Sequence, residues 1–154
     1  PVLGSYKAVF RQKGIALREE LDPALKQLTL CGDALFLDLA FRHVFQNALE
    51  AIDKNGEVAV VGSVKSQGGN STVMIRVEDS GRGMKEAELK SAPTLYFSTK
   101  KNHDGVGLSL ARRFVELHDG SLRVSSTSGK GTQVEIILPV RRSDLSAKGG
   151  YSRL

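Results

Sequence analysis

The chain has no tryptophan and a single cysteine among its 154 residues. One thiol cannot close an internal disulfide or assemble a zinc site, so disulfide scaffolds and cysteine-rich metal domains are excluded. The lack of cysteine pairs is typical of a reducing compartment. The sequence also has no apolar run as long as a transmembrane helix and no signal-peptide pattern. Because the chain starts at Pro1 without Met, we expect it to be a piece of a longer protein, which leaves open a membrane segment elsewhere.

Basic residues outnumber acidic ones, 22 to 17, and the net charge is +5. They are scattered rather than gathered into a stripe with interleaved aromatics, so we do not expect nucleic-acid binding. The charge equally suits a phosphate ligand or an acidic partner protein. Hydrophobic residues make up 40% of the chain. That content and length predict one domain with a real core.

The spacing of apolar residues predicts an α/β protein. A short helix over residues 3–10 precedes a strand-like stretch, and a long helix lies between an N-cap at Asp33 and a stop at Asn55-Gly56. "EVAVVGSV" and "TVMIRVED" are expected to be paired strands joined by the loop "KSQGGNS". After a loop from residue 80 to about 104, a helix over 107–118 ends with Gly120 as its C′ residue, and a hairpin follows around "TSGKG". This order predicts a two-layer sandwich with a mixed or antiparallel sheet covered on one face by helices.

The long helix is predicted to have two different faces. Its apolar residues cluster on one side and should pack on the sheet: Phe41, Val44, Phe45, Ala48, Leu49 and Ile52. His43, Asn47, Glu50 and Lys54 align on the opposite side. Such a stripe is a solvated face unless a ligand covers it. The Asn47 amide oxygen is a hard ligand of the kind that Mg²⁺ prefers.

The stretch "DSGRGM" follows a predicted strand directly. The Asp79 carboxylate can accept a hydrogen bond from the exocyclic amine of a base. Gly81 and Gly83 would let the backbone come close to a flat ligand. A simple tight turn would have the same composition, so the motif alone leaves both interpretations open.

A second glycine-rich stretch, "DGVGLSLA", leads into the last predicted helix. A glycine turn that feeds a helix N-terminus presents free backbone N–H groups and favours phosphate. The stretch is neither a Walker loop nor a dinucleotide fingerprint, because "GxxxxGK[ST]" and the third glycine are both absent. A glycine-bearing helix cap is the plain alternative.

Taken together and in order, these motifs resemble the ATP-binding catalytic domain of sensor histidine kinases. This family belongs to a superfamily with DNA gyrase, the heat-shock chaperone ATPases and the mismatch-repair ATPases. The resemblance covers about residues 7–140 and rests on "FRHVFQNALEAI", "VEDSGRGM", "LYFSTK", "GVGLSLA" and "GKGT". "NALEA" and "FSTK" are most similar to the nitrogen-regulation and dicarboxylate-sensing branch. The resemblance implies a Bergerat-type fold with an ATP lid between the two glycine motifs.

The resemblance also implies a role for each matching residue. Asn47 would be the Mg²⁺ ligand, Asp79 would contact the adenine amino group, and Thr132 would lie near the adenine. Phe97 would lie beside the nucleotide and Lys100 near the phosphates. The implied nucleotide-binding set is Asn47, Asp79, Gly81, Gly83, Phe97, Lys100, Gly105, Val106, Gly107, Leu108 and Thr132, with ATP and Mg²⁺ as ligands.

His43 marks a departure from the gyrase and chaperone relatives. Those proteins have a glutamate four residues before the asparagine, which serves as general base for water. With His43 in that position, ATP hydrolysis of the gyrase kind is not expected, whereas phosphotransfer is compatible with the change. We therefore assign Asn47, His43 and Lys100 as candidate catalytic residues. For His43, contact with phosphate, orientation of Mg²⁺ and an ordinary surface role all remain open.

The resemblance further implies the surroundings of this domain. Residues 1–12 would end a linker helix from an upstream domain, 13–140 would form the catalytic domain, and 141–154 a loose polar tail. The partners would be the protein's own dimerisation and phosphoacceptor domain, absent here, and a response regulator. We expect this piece to be monomeric, the full-length protein to be a homodimer, and the location to be the bacterial cytoplasm. A nucleotide-holding module without turnover and an anti-sigma-type serine kinase are the alternatives.

Overall fold

A computed structural model describes residues 2–28, 30, 32–67, 70–91 and 107–140 of the chain, apart from the side chains of residues 67, 90 and 91. Within these residues the elements are α1 (Val2–Gln12), β1 (Ala16–Leu21), a 3-10 helix (Pro23–Gln27), α2 (Ala34–Ala51), β2 (Glu57–Gln67), β3 (Asn70–Asp79), α3 (Glu86–Ser91), α4 (Gly107–Glu116), β4 (Ser121–Thr127) and β5 (Gly131–Val140).

The strands form one mixed sheet in the order β1-β2-β3-β5-β4. β1 runs parallel to β2, and the other neighbours are antiparallel. Alternate residues of β5, namely Thr132, Val134, Ile136 and Leu138, are buried, because successive side chains of a strand point to opposite faces. α2 packs on β3 and β5, and α4 packs on β4. The prediction of a two-layer α/β sandwich with helices on one face is confirmed.

α2 begins and packs as the sequence predicts. The Asp33 carboxylate caps it by accepting hydrogen bonds from the N–H groups of Leu35 and Phe36. All six apolar residues of the predicted inner face are buried. The helix ends earlier than expected, at Ala51, so Lys54 lies beyond it and does not extend the polar stripe.

Two predicted loops contain regular structure. β2 and β3 run through most of the expected loop "KSQGGNS", and the hydroxyls of Ser66 and Ser71 are 2.7 Å apart across the pair. Polar residues fit there because this end of the hairpin is exposed, so the strands continue without apolar side chains. α3 lies within the loop expected between residues 80 and 104.

The C-terminal end of α4 corrects one expectation. The N–H of Gly120 donates to the Val115 carbonyl and that of Asp119 to the Glu116 carbonyl, which is the Schellman pattern. The left-handed C′ residue is therefore Asp119, with φ of 56°, and not Gly120. Gly120 has a packing role instead, because a Cβ there would lie 2.6 Å from the Ile137 carbonyl oxygen.

α1 contributes to the core. Phe10 is fully buried, and its ring packs against those of Tyr6 and Phe45, with centroids 5.9 and 6.3 Å away. Whether α1 continues a linker from another domain stays a prediction, and the tail 141–154 lies outside the described residues. No helix in the described part of the chain is long and apolar enough to cross a membrane.

Replacing Gly120 with alanine tests this packing role. We expect Gly120→Ala to lower the free energy of unfolding by about 1–3 kcal/mol, since the new methyl group would press on β5. Gly4→Ala is the matched control, because a Cβ at Gly4 meets nothing within 4 Å. Urea unfolding of both variants is the measurement. An unchanged midpoint for Gly120→Ala would contradict the assignment.

Candidate functional site

A row of three polar side chains lies at one end of the helix-covered face of the sheet. Asp79 ends β3, Thr132 pairs with it from β5, and Ser126 of β4 pairs with Thr132. Asp79 and Thr132 are buried, with 8% and 4% of their surface exposed. Further along the same strands, the side chains that point to this face of the sheet are apolar. A polar row in this place indicates a binding site.

The Asp79 carboxylate is held by the backbone. Its Oδ1 accepts hydrogen bonds from the N–H of Gly81 at 2.9 Å and from the N–H of Thr132 at 3.3 Å. A buried carboxylate is costly unless hydrogen bonds compensate the lost water. The two N–H groups come from different segments, so the turn after β3 and the start of β5 jointly fix the direction of this side chain.

Ser126 connects the row to the loop after β3, and the sequence analysis missed it. Its hydroxyl donates to the Gly131 carbonyl at 2.8 Å and accepts from the Met84 N–H at 2.9 Å. Since its one proton is used, the Thr132 hydroxyl, 2.9 Å away, is the donor of that pair. Counting the hairpin register back from "GKGT" would have placed Ser126 opposite Thr132.

The glycines of the site have packing roles in this structure. A Cβ at Gly81 would lie 2.5 Å from the Ala51 carbonyl oxygen at the end of α2. Gly83, with φ of 63°, and Gly131, with φ of 103°, would place a Cβ on the carbonyl oxygens of Thr127 and Asp79 respectively. These contacts bring the loop after β3 against both α2 and the β4–β5 turn. Direct contact of Gly81 or Gly83 with a ligand stays a prediction.

Asn47 lies between two of the predicted motifs. Residues four apart share one side of a helix, so His43, Asn47 and Ala51 form a stripe along α2. At the Ala51 end, the Ala51 carbonyl accepts a hydrogen bond from the Arg82 N–H at 3.0 Å. At the other end, His43 Nδ1 lies 3.7 Å from the position of a Cβ at Gly107. The stripe thus spans about 12 Å, from the Asp79 loop to the first residue of α4.

His43 is half-buried between the two helices. Burial lowers the pKa of its imidazole, because the protein replaces the water that would stabilise the charged ring. The ring packs near-parallel to that of Phe114 on α4, with centroids 6.4 Å apart. A neutral imidazole has one N–H donor and one acceptor nitrogen, so His43 can form a directed hydrogen bond in this position.

Part of the predicted site falls outside the described residues, namely Phe97, Lys100, Gly105 and Val106. Gly107 and Leu108 form the first turn of α4, and Leu108 is buried. Within the described residues, then, Asp79 and Thr132 meet at one end of the site, and His43 and Gly107 meet at the other. Asn47 lies on α2 between these ends.

Comparisons with known proteins find matches to both the sequence and the fold of this chain. Residues 32–142 match the family model described as histidine kinase-, DNA gyrase B-, and HSP90-like ATPase. Sporulation kinase C of Bacillus subtilis is 34% identical over 110 residues, which cover 71% of this chain and 25% of that protein. Sensor histidine kinase ZraS of Salmonella typhimurium is 33% identical over 130 residues, covering 84% and 27%. The solved mycobacterial sensor histidine kinase MprB superposes with a TM-score of 0.75 at 25% identity, covering 91% of this chain and 92% of that one.

The chain therefore belongs to the family of histidine kinase-, DNA gyrase B- and HSP90-like ATPases. It is an ATP-binding domain of the Bergerat fold, as the resemblance implied, and the proteins that it matches include sensor histidine kinases. The chain spans about a quarter of the length of the two curated relatives.

The environment of His43 predicts a pH dependence of stability. With its pKa lowered by folding, His43 binds fewer protons in the folded chain than in the unfolded chain near pH 6. The free energy of unfolding should therefore be fully retained above about pH 6.5 and fall as the pH drops below that value. Urea midpoints at pH 7.5 and 5.5 measure this fall, which should be smaller in His43→Gln. Equal falls in both proteins would show that His43 is not the group responsible.

Proposed function

We propose that this chain is the ATP-binding catalytic domain of a two-component sensor histidine kinase. In this proposal it transfers the γ-phosphoryl group of ATP to a histidine on a separate dimerisation domain. The proposal rests on the stripe of His43, Asn47 and Ala51 along α2. This stripe extends from the polar row that contains the buried Asp79 carboxylate to the start of α4. One end offers hydrogen bonds suited to a base, and the other offers the N-terminus of a helix, which favours phosphate.

At the base end, Asp79 is the proposed contact of the adenine amino group, and Thr132 lies beside it. Two backbone N–H groups hold the carboxylate in one orientation before any ligand binds. Such pre-ordering lowers the entropy cost of binding. Phe97, Gly81 and Gly83 complete the proposed base pocket.

Asn47 is the proposed Mg²⁺ ligand. Its side chain is half-buried and forms no hydrogen bond with any residue in the described ranges, so its amide oxygen can face a cation. The described residues contain no cluster of three or more His, Cys, Asp or Glu side chains. Mg²⁺ binds phosphates with only one or two protein ligands, so a site of the proposed kind needs no such cluster. When bound, the ion would offset charge on the phosphate oxygens.

Phosphoryl transfer depends mainly on positioning and on charge stabilisation. We propose that Lys100 and the segment Gly105–Leu108 hold the phosphates. His43 would direct a ring N–H towards them. His43 stands where the gyrase-type relatives have a glutamate base, so the carboxylate that activates water in those proteins is absent from this position. Transfer to a protein acceptor is therefore favoured over hydrolysis.

The proposed partners follow from the same assignment. They are the dimerisation and phosphoacceptor domain of the same polypeptide, and a response regulator that receives the phosphoryl group on an aspartate. We expect the protein to be bacterial and this domain to face the cytoplasm. We further expect the chain alone to be monomeric and the full-length protein to be a homodimer.

Asp79→Asn tests the base pocket while keeping the size and shape of the side chain. Asparagine keeps an oxygen that can accept from Gly81 and Thr132, but it replaces the other carboxylate oxygen with an N–H donor that would face the adenine amino group. We expect the native chain to bind a non-hydrolysable ATP analogue with micromolar to sub-millimolar affinity. The variant should lose at least about tenfold, the cost of about one unpaired buried group. Calorimetric titration measures both.

Glu78→Gln is the matched control for that titration. It makes the same chemical change one residue earlier on β3, on the opposite face of the sheet, where Glu78 pairs with Arg76 at 3.0 Å. Its affinity should equal that of the native chain. Equal loss in both variants, or no binding by the native chain, would refute the proposed pocket.

Asn47→Ala separates catalysis from simple nucleotide holding. We expect it to remove the Mg²⁺-dependent part of ATP affinity and to slow phosphorylation of the acceptor histidine about hundredfold, a typical loss for a charge-stabilising group. Binding without Mg²⁺ should remain. Transfer of radiolabelled phosphate in the full-length protein is the measurement, with Gln46→Ala on the exposed side of α2 as control. Unchanged labelling would favour a module that holds nucleotide without turnover, and label on serine would indicate a serine kinase.

A further inference from the structure

Three aromatic rings form a column between α2 and α4. The rings of Phe36 on α2 and Phe114 on α4 stack with centroids 5.2 Å apart and planes 7° from parallel. The imidazole of His43 stacks on Phe114 at 6.4 Å and 20°. Because Phe36 and His43 are separated by about 10.5 Å of helix, Phe114 lies between them along α2.

Further contacts, in addition to the column, hold α2 and α4 antiparallel to each other. Near the start of α2, the Asp33 N–H donates to Nε2 of His118, just beyond the end of α4, at 2.9 Å. The other His118 nitrogen, Nδ1, lies 2.7 Å from the Phe114 carbonyl oxygen. About three turns further along α2, His43 meets the first residue of α4. Phe114 is therefore held by its backbone as well as by the ring stack.

The column restricts the one torsion that decides where the His43 nitrogens point. Rotation of an imidazole about its terminal bond is intrinsically loose, with a broad energy profile. The Phe114 ring lies near-parallel to the imidazole, with its centroid 6.4 Å away, so it bounds the imidazole on that side and limits the range of its rotation. Gly107 leaves room for Nδ1 beside the first turn of α4, where a side chain would narrow the space.

We propose that Phe114 is a positioning residue that orients the His43 imidazole towards the phosphate end of the site. It acts through His43 and does not itself touch the nucleotide. Phe36 supports the far face of Phe114. This inference rests on the proposed function, in which the phosphates lie beside the first turn of α4.

A double-mutant cycle tests the inference in the full-length protein. Phe114→Leu keeps an apolar side chain but removes the flat ring, and we expect the rate constant for phosphoryl transfer to fall about tenfold, since small misplacements of reacting groups are costly. The Kd for the ATP analogue should not change. Phe114→Tyr, which retains the ring, should restore the rate. In the His43→Ala background, Phe114→Leu should have no further effect, because the residue through which it acts is gone.

A control just beyond α4 tests whether shortening any apolar side chain near this end of the helix slows transfer. Leu117 follows α4 and is 52% exposed, so Leu117→Ala should leave the rate unchanged. If Phe114→Leu slows transfer equally with and without His43, Phe114 has only a structural role and the inference is overturned.

A measurement on the chain itself does not depend on catalysis. Nuclear Overhauser contacts between the His43 ring protons and the Gly107 Hα protons should appear in the native chain and in Phe114→Tyr, and disappear in Phe114→Leu. If transfer is absent altogether, the proposed function fails, and this contact still decides the positioning role. Contacts that persist in Phe114→Leu would overturn it.

Discussion

The buried carboxylate of Asp79 is the constraint around which the rest of the site is arranged. Burying such a group requires hydrogen bonds to replace water, and here two backbone N–H groups supply them. Those donors coincide only if β3 and β5 pair in one register and if the chain enters β5 through Gly131, whose positive φ lets it approach the Asp79 carbonyl. A one-residue slip would turn Asp79 to the other face of the sheet.

α2 forms another wall of the site, and its two sides have different roles. Its apolar residues fix it to the sheet, and its other side bears His43 and Asn47. The loop after β3 can approach the end of this helix only because Gly81 has no side chain, which allows the hydrogen bond from Arg82 to Ala51. The residues of α2 thus determine both how the helix packs on the sheet and which side chains line the site.

The sequence predicted those parts of the structure that follow from periodicity and motif order. The inner face of α2, the Asp33 cap and a sheet covered on one face by helices could be predicted directly, because burial leaves a regular pattern of apolar residues; the parallel pairing of β1 with β2 could not be told from an antiparallel one. Ser126 was missed because a serine on a strand has no distinguishing pattern of its own, and only the hairpin register counted back from "GKGT" places it opposite Thr132. The Phe36–Phe114–His43 column was also invisible, since it depends on how α2 and α4 pack together. Asp119 was passed over at the end of α4 because glycine is the usual left-handed residue, and Gly120 stands next to it.

Backbone contacts determine the geometry at one end of the site, and side-chain packing determines it at the other. The two ends therefore differ in which substitutions they tolerate. At the base end, backbone N–H groups and carbonyl contacts at glycines determine the geometry, so a substitution at one of these glycines disturbs the main chain. At the other described end, the geometry depends on side-chain rings packed between two helices. A single substitution can change the orientation of His43 there without altering a strand register. Under the proposed function, recognition of the base is thus tied to the fold itself, whereas the orientation of His43, the group proposed to face the phosphates, can be adjusted through side-chain packing alone.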